Sequence, residues 1–306
     1  MITDDNFDTF EAIFTKLKPE VPISDQFLYR GQGTDKKLIP SSLRTDADSK
    51  IELLKPLILD TQKERDRYAQ LNPQVQQNYI EFRIINRFIH LTDDAGVPLP
   101  GDDSRFRDDL LSLRTSDTPQ SIELRFQSWP KFSEPKATWN AVFALAQHYG
   151  LPTRYLDWSS YSYVALYFAA SDAIVHNKMA EKSRANHKTE FFYVCRLDRQ
   201  LLEEGKVSIF PIQGSLNPNL SAQKGKNTFL ANTDDETQRK GYEEIVGITN
   251  AMTQYKIPIK FAVDVLEYLK SHNISRDTLF PSLRSIVESM YERAYYLTQI
   301  PGGQHT

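Results

Sequence analysis

Two short stretches of the chain carry polar residues that local structure alone does not require. In the first, the apolar run Phe27-Leu28-Tyr29 ends in Arg30-Gly31-Gln32, and Leu38-Ile39-Pro40-Ser41-Ser42-Leu43-Arg44 follows. An arginine closing an apolar strand sits at the edge of a core, and its planar fork suits phosphate or ribose oxygens in a cleft. A surface ion pair is the plain alternative. In the second stretch, Ala146 to Ser160 (AQHYGLPTRYLDWSS), His148, Thr153, Arg154, Asp157, Trp158 and Ser159 lie between two apolar helical segments. Polar groups at that density beside a core need a network or a ligand to satisfy them. Either Arg154 pairs with Asp157 to lock the turn and His148 is satisfied at a helix end, or these side chains line a pocket.

Other chemistries lack their residues. There is no GxGxxG and no GxxxxGK[ST], so neither a Rossmann nor a P-loop phosphate cradle is supported. No GxSxG nucleophile elbow and no HExxH occur, and the six histidines are scattered, so no metal centre is expected. The single cysteine, Cys195, lies inside an apolar run and reads as an inert packed thiol; alone it excludes a disulfide framework. The adjacent carboxylates Glu243 and Glu244 read, on spacing alone, as solvated loop charge.

The 37 Lys and Arg against 40 Asp and Glu leave a net charge of -3, which argues against a uniformly basic nucleic-acid binder. Two segments are nonetheless basic: Lys178, Lys182, Arg184, His187 and Lys188, and then Lys224, Lys226, Arg239 and Lys240. Together they could face RNA or DNA; ordinary solvated loop charge is the alternative. Aromatic residues are abundant, with Tyr 15, Phe 17 and Trp 3 against Gly 12, and eight of them crowd the two polar stretches. No apolar run reaches the ~20 residues of a membrane span, and the start lacks the pattern of a signal peptide, so the expectation is a cytoplasmic protein without a membrane partner.

The elements that must position these residues follow from periodicity. Apolar residues at helical spacing predict a helix within 5–19, further helices from 49 to about 91 divided at Pro56 and at Asn72-Pro73, one around Phe106–Leu113, and a strong one over 136–149 that stops at Gly150. Strands are predicted at 27–29, 156–158, 190–197 and 207–212, and a buried helix at 163–174. Residues 176–190 read as a loop or hairpin tip, and 213–241 as a long loop region with one strand at best. An apolar run at Ile245–Ile248 precedes helices at 260–271 and from Pro281 to about 297. Strands flanking a helical stretch predict one α+β domain over 1–306, with 49–149 as a mainly helical lobe or insertion.

With these residues in view, the chain resembles a known family. Tyr29-Arg30-Gly31-Gln32 with Pro40-Ser41-Ser42-Leu43-Arg44 resembles the opening motif of the FRG domain, with Tyr29 in place of the family's Phe. Ala144–Ala169 (ALAQHYGLPTRYLDWSSYSYVALYFA) resembles that family's longest motif; Tyr155 and Ser159 stand where members mostly have Leu and Thr, and they mostly carry a Pro near Tyr161. Ser221–Phe229 is a weaker likeness, and Lys256–Lys260 and Thr278–Leu283 resemble the closing segment. The likeness spans about residues 24–290.

The order of these motifs also resembles the ADP-ribosyltransferase fold of the Arg-Ser-Glu type. That likeness implies a split β core, NAD as the bound dinucleotide, and transfer of ADP-ribose to RNA, DNA or protein. Arg30 would take the first motif position and Ser159 the second; the third falls on Gln223 by alignment with the family, or on Glu243 or Glu244 by chain order. Gln223 would hydrogen-bond ribose without supplying charge. The implied chemistry is cleavage of the nicotinamide–ribose bond through an oxocarbenium-like state. The implied NAD contacts are Arg30, Gly31, Gln32, Tyr149, Thr153, Arg154, Asp157, Trp158, Ser159 and Tyr161, with Tyr149, Trp158 or Tyr161 stacking on nicotinamide and His148 as base for the acceptor. A bacterial toxin or phage-defence effector, with an antitoxin or regulatory protein as partner, would suit such an enzyme. A non-catalytic nucleotide-binding module and an NAD glycohydrolase are the alternatives.

Overall fold

The computed structural model describes residues 2–4, 7–20, 23–44, 49–114, 118–127, 137–183, 188–204, 207–211, 218–230 and 240–298. Seven strands form one mixed, open sheet: β1 (Ile2–Asp4), β2 (Phe27–Gln32), β3 (Tyr155–Ser159), β4 (Phe191–Asp198), β5 (Val207–Pro211), β6 (Gly225–Leu230) and β7 (Met252–Pro258). Their spatial order is β1-β7-β4-β2-β3-β6-β5. Only β1 and β7 run parallel; the other described pairs are antiparallel. With the helices below, the architecture is α+β.

Between β2 and β3 the chain is helical: α1 (Phe10–Lys16) precedes β2, and α2 (Lys50–Ile58), α3 (Gln62–Ala69), α4 (Pro73–Asp94), α5 (Ser104–Arg114), α6 (Pro119–Phe126) and α7 (Ala137–His148) follow it. Side-chain caps set the starts of several of them. Thr61 accepts from the Glu64 amide, Asn72 from that of Val75 just before Pro73, and Asp103 from that of Phe106. Pro56 does not divide the helix as predicted. It lies inside α2, whose end comes two residues later.

The later helices are α8 (Ser162–Lys182), α9 (Pro218–Ala222), α10 (Ala262–Ser271), α11 (Arg276–Leu279) and α12 (Leu283–Thr298). The helix predicted at 163–174 is therefore longer, and Lys178 and Lys182 ride on it rather than in a loop. Arg184, His187 and Arg239 lie outside the described residues. Part of the expected 213–241 loop is α9 and β6. The apolar run Ile245–Ile248 is a turn, not a strand, with Ile245 and Ile248 buried and Val246 exposed: Gly247 adopts φ +87°, and Thr249 donates back to the Ile245 carbonyl. The strand in this region is β7, seven residues further on.

Strand alternation builds two layers. On β4, Phe192 and Val194 face α8, while Cys195 and Leu197 join Leu28, Leu156, Trp158 and Tyr242 on the other side. A third core lies in the helical lobe, where Val75, Phe82, Phe106 and Phe143 meet Tyr155 and Phe229 of the sheet. The approach of β2 to α8 is backbone on backbone. A Cβ on Gly31 would lie 2.0 Å from the Ala165 carbonyl oxygen, and Ala165, Ala169 and Ala173 share one face of the helix. Only Gly against this alanine stripe allows that distance. No helix among the described residues is long and apolar enough to cross a membrane.

Candidate functional site

The β2–β3 ladder consists of one pair, Tyr29 opposite Ser159, after which the strands diverge. Arg30 fills the gap. Its Nη1 donates to the Asp157 main-chain carbonyl at 2.6 Å, where a further ladder donor from β2 would otherwise sit. Its Nε is buried and has no hydrogen-bond partner. Burial pushes the guanidinium pKa below its ordinary value, partly offset by the nearby Asp157 charge. Among the described residues no carboxylate forms an ion pair with it.

A cavity of about 410 Å³ opens here, walled by β2, β3, the end of α7, α8, the α9–β6 turn and Phe280. That size lies within the ~300–1,000 Å³ typical of small-molecule sites. Arg30, Gly31, His148, Asp157, Trp158, Ser159 and Gln223, all expected from sequence, line it. Ser159 Oγ donates to the Gln223 carbonyl at 2.7 Å and accepts from the Tyr161 amide at 3.0 Å, so the β3 end and the α9–β6 turn are tied together. The Gln223 side chain donates to the Leu279 carbonyl at 3.1 Å. His148 Nε2 lies 3.2 Å from the Asn219 amide. Trp158 is largely core, its Nε1 donating to Thr228 at 2.8 Å.

Asp157 is held by side chains. Its Oδ1 accepts from Gln147 Nε2 at 2.6 Å, and the Asn227 amide, turned with its nitrogen towards Asp157, donates to the same oxygen at 3.1 Å. Thr153 Oγ1 in turn donates to Gln147 Oε1. Thr153 therefore stands behind the cavity wall, where its main chain also bonds Ser41 and Ser42. The two sequence motifs thus meet through Ser41, Ser42 and Thr153.

Several expected residues lie elsewhere. Arg154 does not pair with Asp157. It turns into the lobe, where Nε donates to Glu81 Oε2 at 2.6 Å and Nη2 to Asn78. Both charges of that pair are 3% exposed. Tyr149 is 74% exposed and Tyr161 packs edge-on to Tyr163; neither lines the cavity. Gln32 donates to the Lys36 carbonyl at 3.0 Å. Glu243 and Glu244 are also outside the lining. Glu243 accepts from the Leu38 amide, and burial pushes its pKa up. Glu244 pairs with Lys37 at 2.7 Å, which pulls its pKa down.

Sequence reasoning missed Asp172, whose Oδ2 accepts from the Gly33 amide at 2.9 Å, and the lining residues Gln147, Asn227 and Phe280. A signal existed for Asp172: it is a carboxylate in an otherwise apolar helical run (YVALYFAASDAI). Asn227 carries no such mark, because only the β3–β6 register sets it opposite Asp157.

Residues 106–178 match the FRG domain family, a segment that holds α7, β3 and most of α8. No curated protein and no solved structure matches the chain.

Proposed function

We propose that this cavity binds NAD as a consumed donor and that the protein is an ADP-ribosyltransferase-like enzyme acting on a macromolecule. The observation that carries the reading is the Arg30 guanidinium. It is lodged in the β2–β3 gap at a cavity, with a buried Nε lacking a partner and no ion pair among the described residues. A phosphate oxygen supplies both the missing acceptor and the missing charge. Ser159 and Gln223 share the cavity with Arg30, in the chain order that the transferase likeness expects. The divergence of β2 from β3 after one pair supports a split-core fold of that type.

When bound, NAD supplies a glycosidic bond whose cleavage leaves positive charge on ribose. The chain's own residues then have distinct tasks. Arg30 grips the pyrophosphate, and Ser159 fixes the Gln223 turn through its 2.7 Å bond. Gln223, its amide nitrogen held by the Leu279 carbonyl, offers its amide oxygen to a sugar hydroxyl, and Phe168, Phe280 and Trp158 supply apolar walls. The acceptor would be RNA, DNA or protein. A toxin or phage-defence role with a cognate antitoxin belongs to the same reading.

A second reading, a nucleotide-binding module without turnover, is favoured by one observation: the third motif position in the cavity is an amide, Gln223, and Glu243 and Glu244 are engaged outside it. Purified protein incubated with NAD labelled in the ADP-ribose portion, with and without cell lysate, separates the readings. Label transferred to protein or nucleic acid is the expected result. Free ADP-ribose alone points to a glycohydrolase, and binding without turnover to the module. Arg30→Ala should abolish whichever signal appears; wild-type turnover in that variant would overturn the cavity assignment.

A further inference from the structure

The cavity lacks a glutamate at its third motif position, yet it does not lack a carboxylate. Asp157 and Ser159 are two residues apart on β3, so their side chains share a strand face at ~6–7 Å spacing. Asp157 is exposed to the cavity and carries it on two fronts: its main-chain carbonyl holds Arg30, and its side chain is a fixed anion. Both amide donors, Gln147 and Asn227, fall on Oδ1. Among the described residues none donates to Oδ2. A carboxylate offers about four acceptor sites, so one oxygen is pinned and the other is left for a ligand. Gln147 is itself fixed by Thr153, which makes the carboxylate preorganised rather than freely rotating. The other cavity carboxylate, Asp172, bonds the Gly33 amide and thereby anchors β2 to α8.

We infer that Asp157 is the catalytic carboxylate of this site. The inference rests on the NAD reading above. In the reaction, the bond between the ribose anomeric carbon and the nicotinamide nitrogen breaks, and nicotinamide leaves with the electron pair. A hydroxyl, amine or water adds to that carbon, and its proton passes to Asp157 Oδ2. Before that transfer the negative Oδ2 faces the sugar as positive charge develops, an interaction stronger in the transition state than in the ground state.

The test compares wild type with Asp157→Asn, which keeps the size of the side chain and an oxygen for Gln147. Three quantities are measured: NAD turnover, NAD affinity by calorimetry, and affinity for an ADP-ribose analogue in which a protonated pyrrolidine replaces the terminal ribose. The expected result is a loss of turnover of ~100-fold or more with NAD affinity within about threefold, and a loss of ~30-fold or more for the cationic analogue. Turnover within about threefold of wild type, or equal losses for NAD and the cationic analogue, would overturn the assignment while leaving the NAD reading in place. Wild-type protein that binds no NAD would instead overturn the reading itself, and the assignment with it. A circular-dichroism melt matching wild type verifies that the variant is folded.

Discussion

Arg30, within β2, and Arg154, just before β3, belong to strands of the same sheet, and they lead opposite lives. Arg154 is sealed in the lobe against Glu81, with Asn78 accepting a second bond and Gln77 completing the carboxylate. Arg30 has a main-chain carbonyl, a buried Nε without an acceptor and an open cavity. A satisfied buried charge holds elements together; a partly satisfied one at a cavity implies something that arrives later. The first ties α4 of the lobe to the start of β3. The second is positioned by that tie, because β3 also presents the Asp157 carbonyl.

The largest effect expected from breaking this comparison is on the Arg154 side. Arg154→Ala leaves Glu81 charged and buried, which should cost ~3–5 kcal/mol of folding stability. Urea unfolding followed by circular dichroism measures it. A loss under ~1 kcal/mol would mean that the pair is not the tie described.

Arg30→Ala should invert that pattern. No ion pair is broken and a desolvated charge is removed, so the lost bond to the Asp157 carbonyl should cost only ~1–2 kcal/mol, less than the Arg154 change. NAD binding should fall about 100-fold, equivalent to ~2.7 kcal/mol. Calorimetric titration beside the same unfolding assay reads both. If Arg30→Ala unfolds the protein as readily as Arg154→Ala, the two arginines are alike and the contrast fails.

Cys195 gives a smaller effect on the same strand pair. It stands directly opposite Arg30 in the β2–β4 ladder, yet it is buried, and burial pushes its thiol pKa up to about 12. The neighbouring guanidinium lowers it less than burial raises it. Native protein at pH 8 should therefore not react with an aromatic disulfide reagent, while protein in guanidinium chloride should release one equivalent. Rapid reaction of the native thiol would show that the Arg30 side of the sheet is more open than the buried cysteine allows.

The sequence made some of this legible and hid the rest for identifiable reasons. Arg30 and Ser159 stood out as polar residues near the end of apolar strands and Asp157 as a carboxylate inside one, and the cavity forms where those strands meet. The strong helix before Gly150 and the strands around Cys195 were readable from periodicity alone. Arg154 was misassigned because its partner Glu81 is 73 residues away, whereas Asp157 is three. The crowded aromatics proved divided: Tyr155, Tyr163 and Tyr167 are core, Tyr149 is exposed, and Tyr29, Trp158 and Phe168 reach the cavity. β7 was hidden because its alternation mixes Thr253, Gln254 and Lys256 with Met252 and Tyr255, while the more apolar Ile245–Ile248 is bent by Gly247.

The smallest effects are expected at Glu243 and Glu244, and they sharpen the comparison by sign. The ion pair with Lys37 lowers the folded-state pKa of Glu244 below its unfolded value. Its contribution is therefore present above ~4.3, the ordinary glutamate pKa, and is lost as pH falls through the folded value. Burial raises the pKa of Glu243, so its ionisation disfavours the fold as pH rises through the same region. Glu244→Gln should slightly lower stability at pH 7 relative to pH 4, and Glu243→Gln should slightly raise it. Melting temperatures at the two pH values measure both. Neither variant should change NAD turnover by more than about twofold, because neither side chain lines the cavity. A large loss of turnover with NAD affinity intact, in either one, would return the third motif position to a glutamate and remove the need for Asp157 to supply the charge.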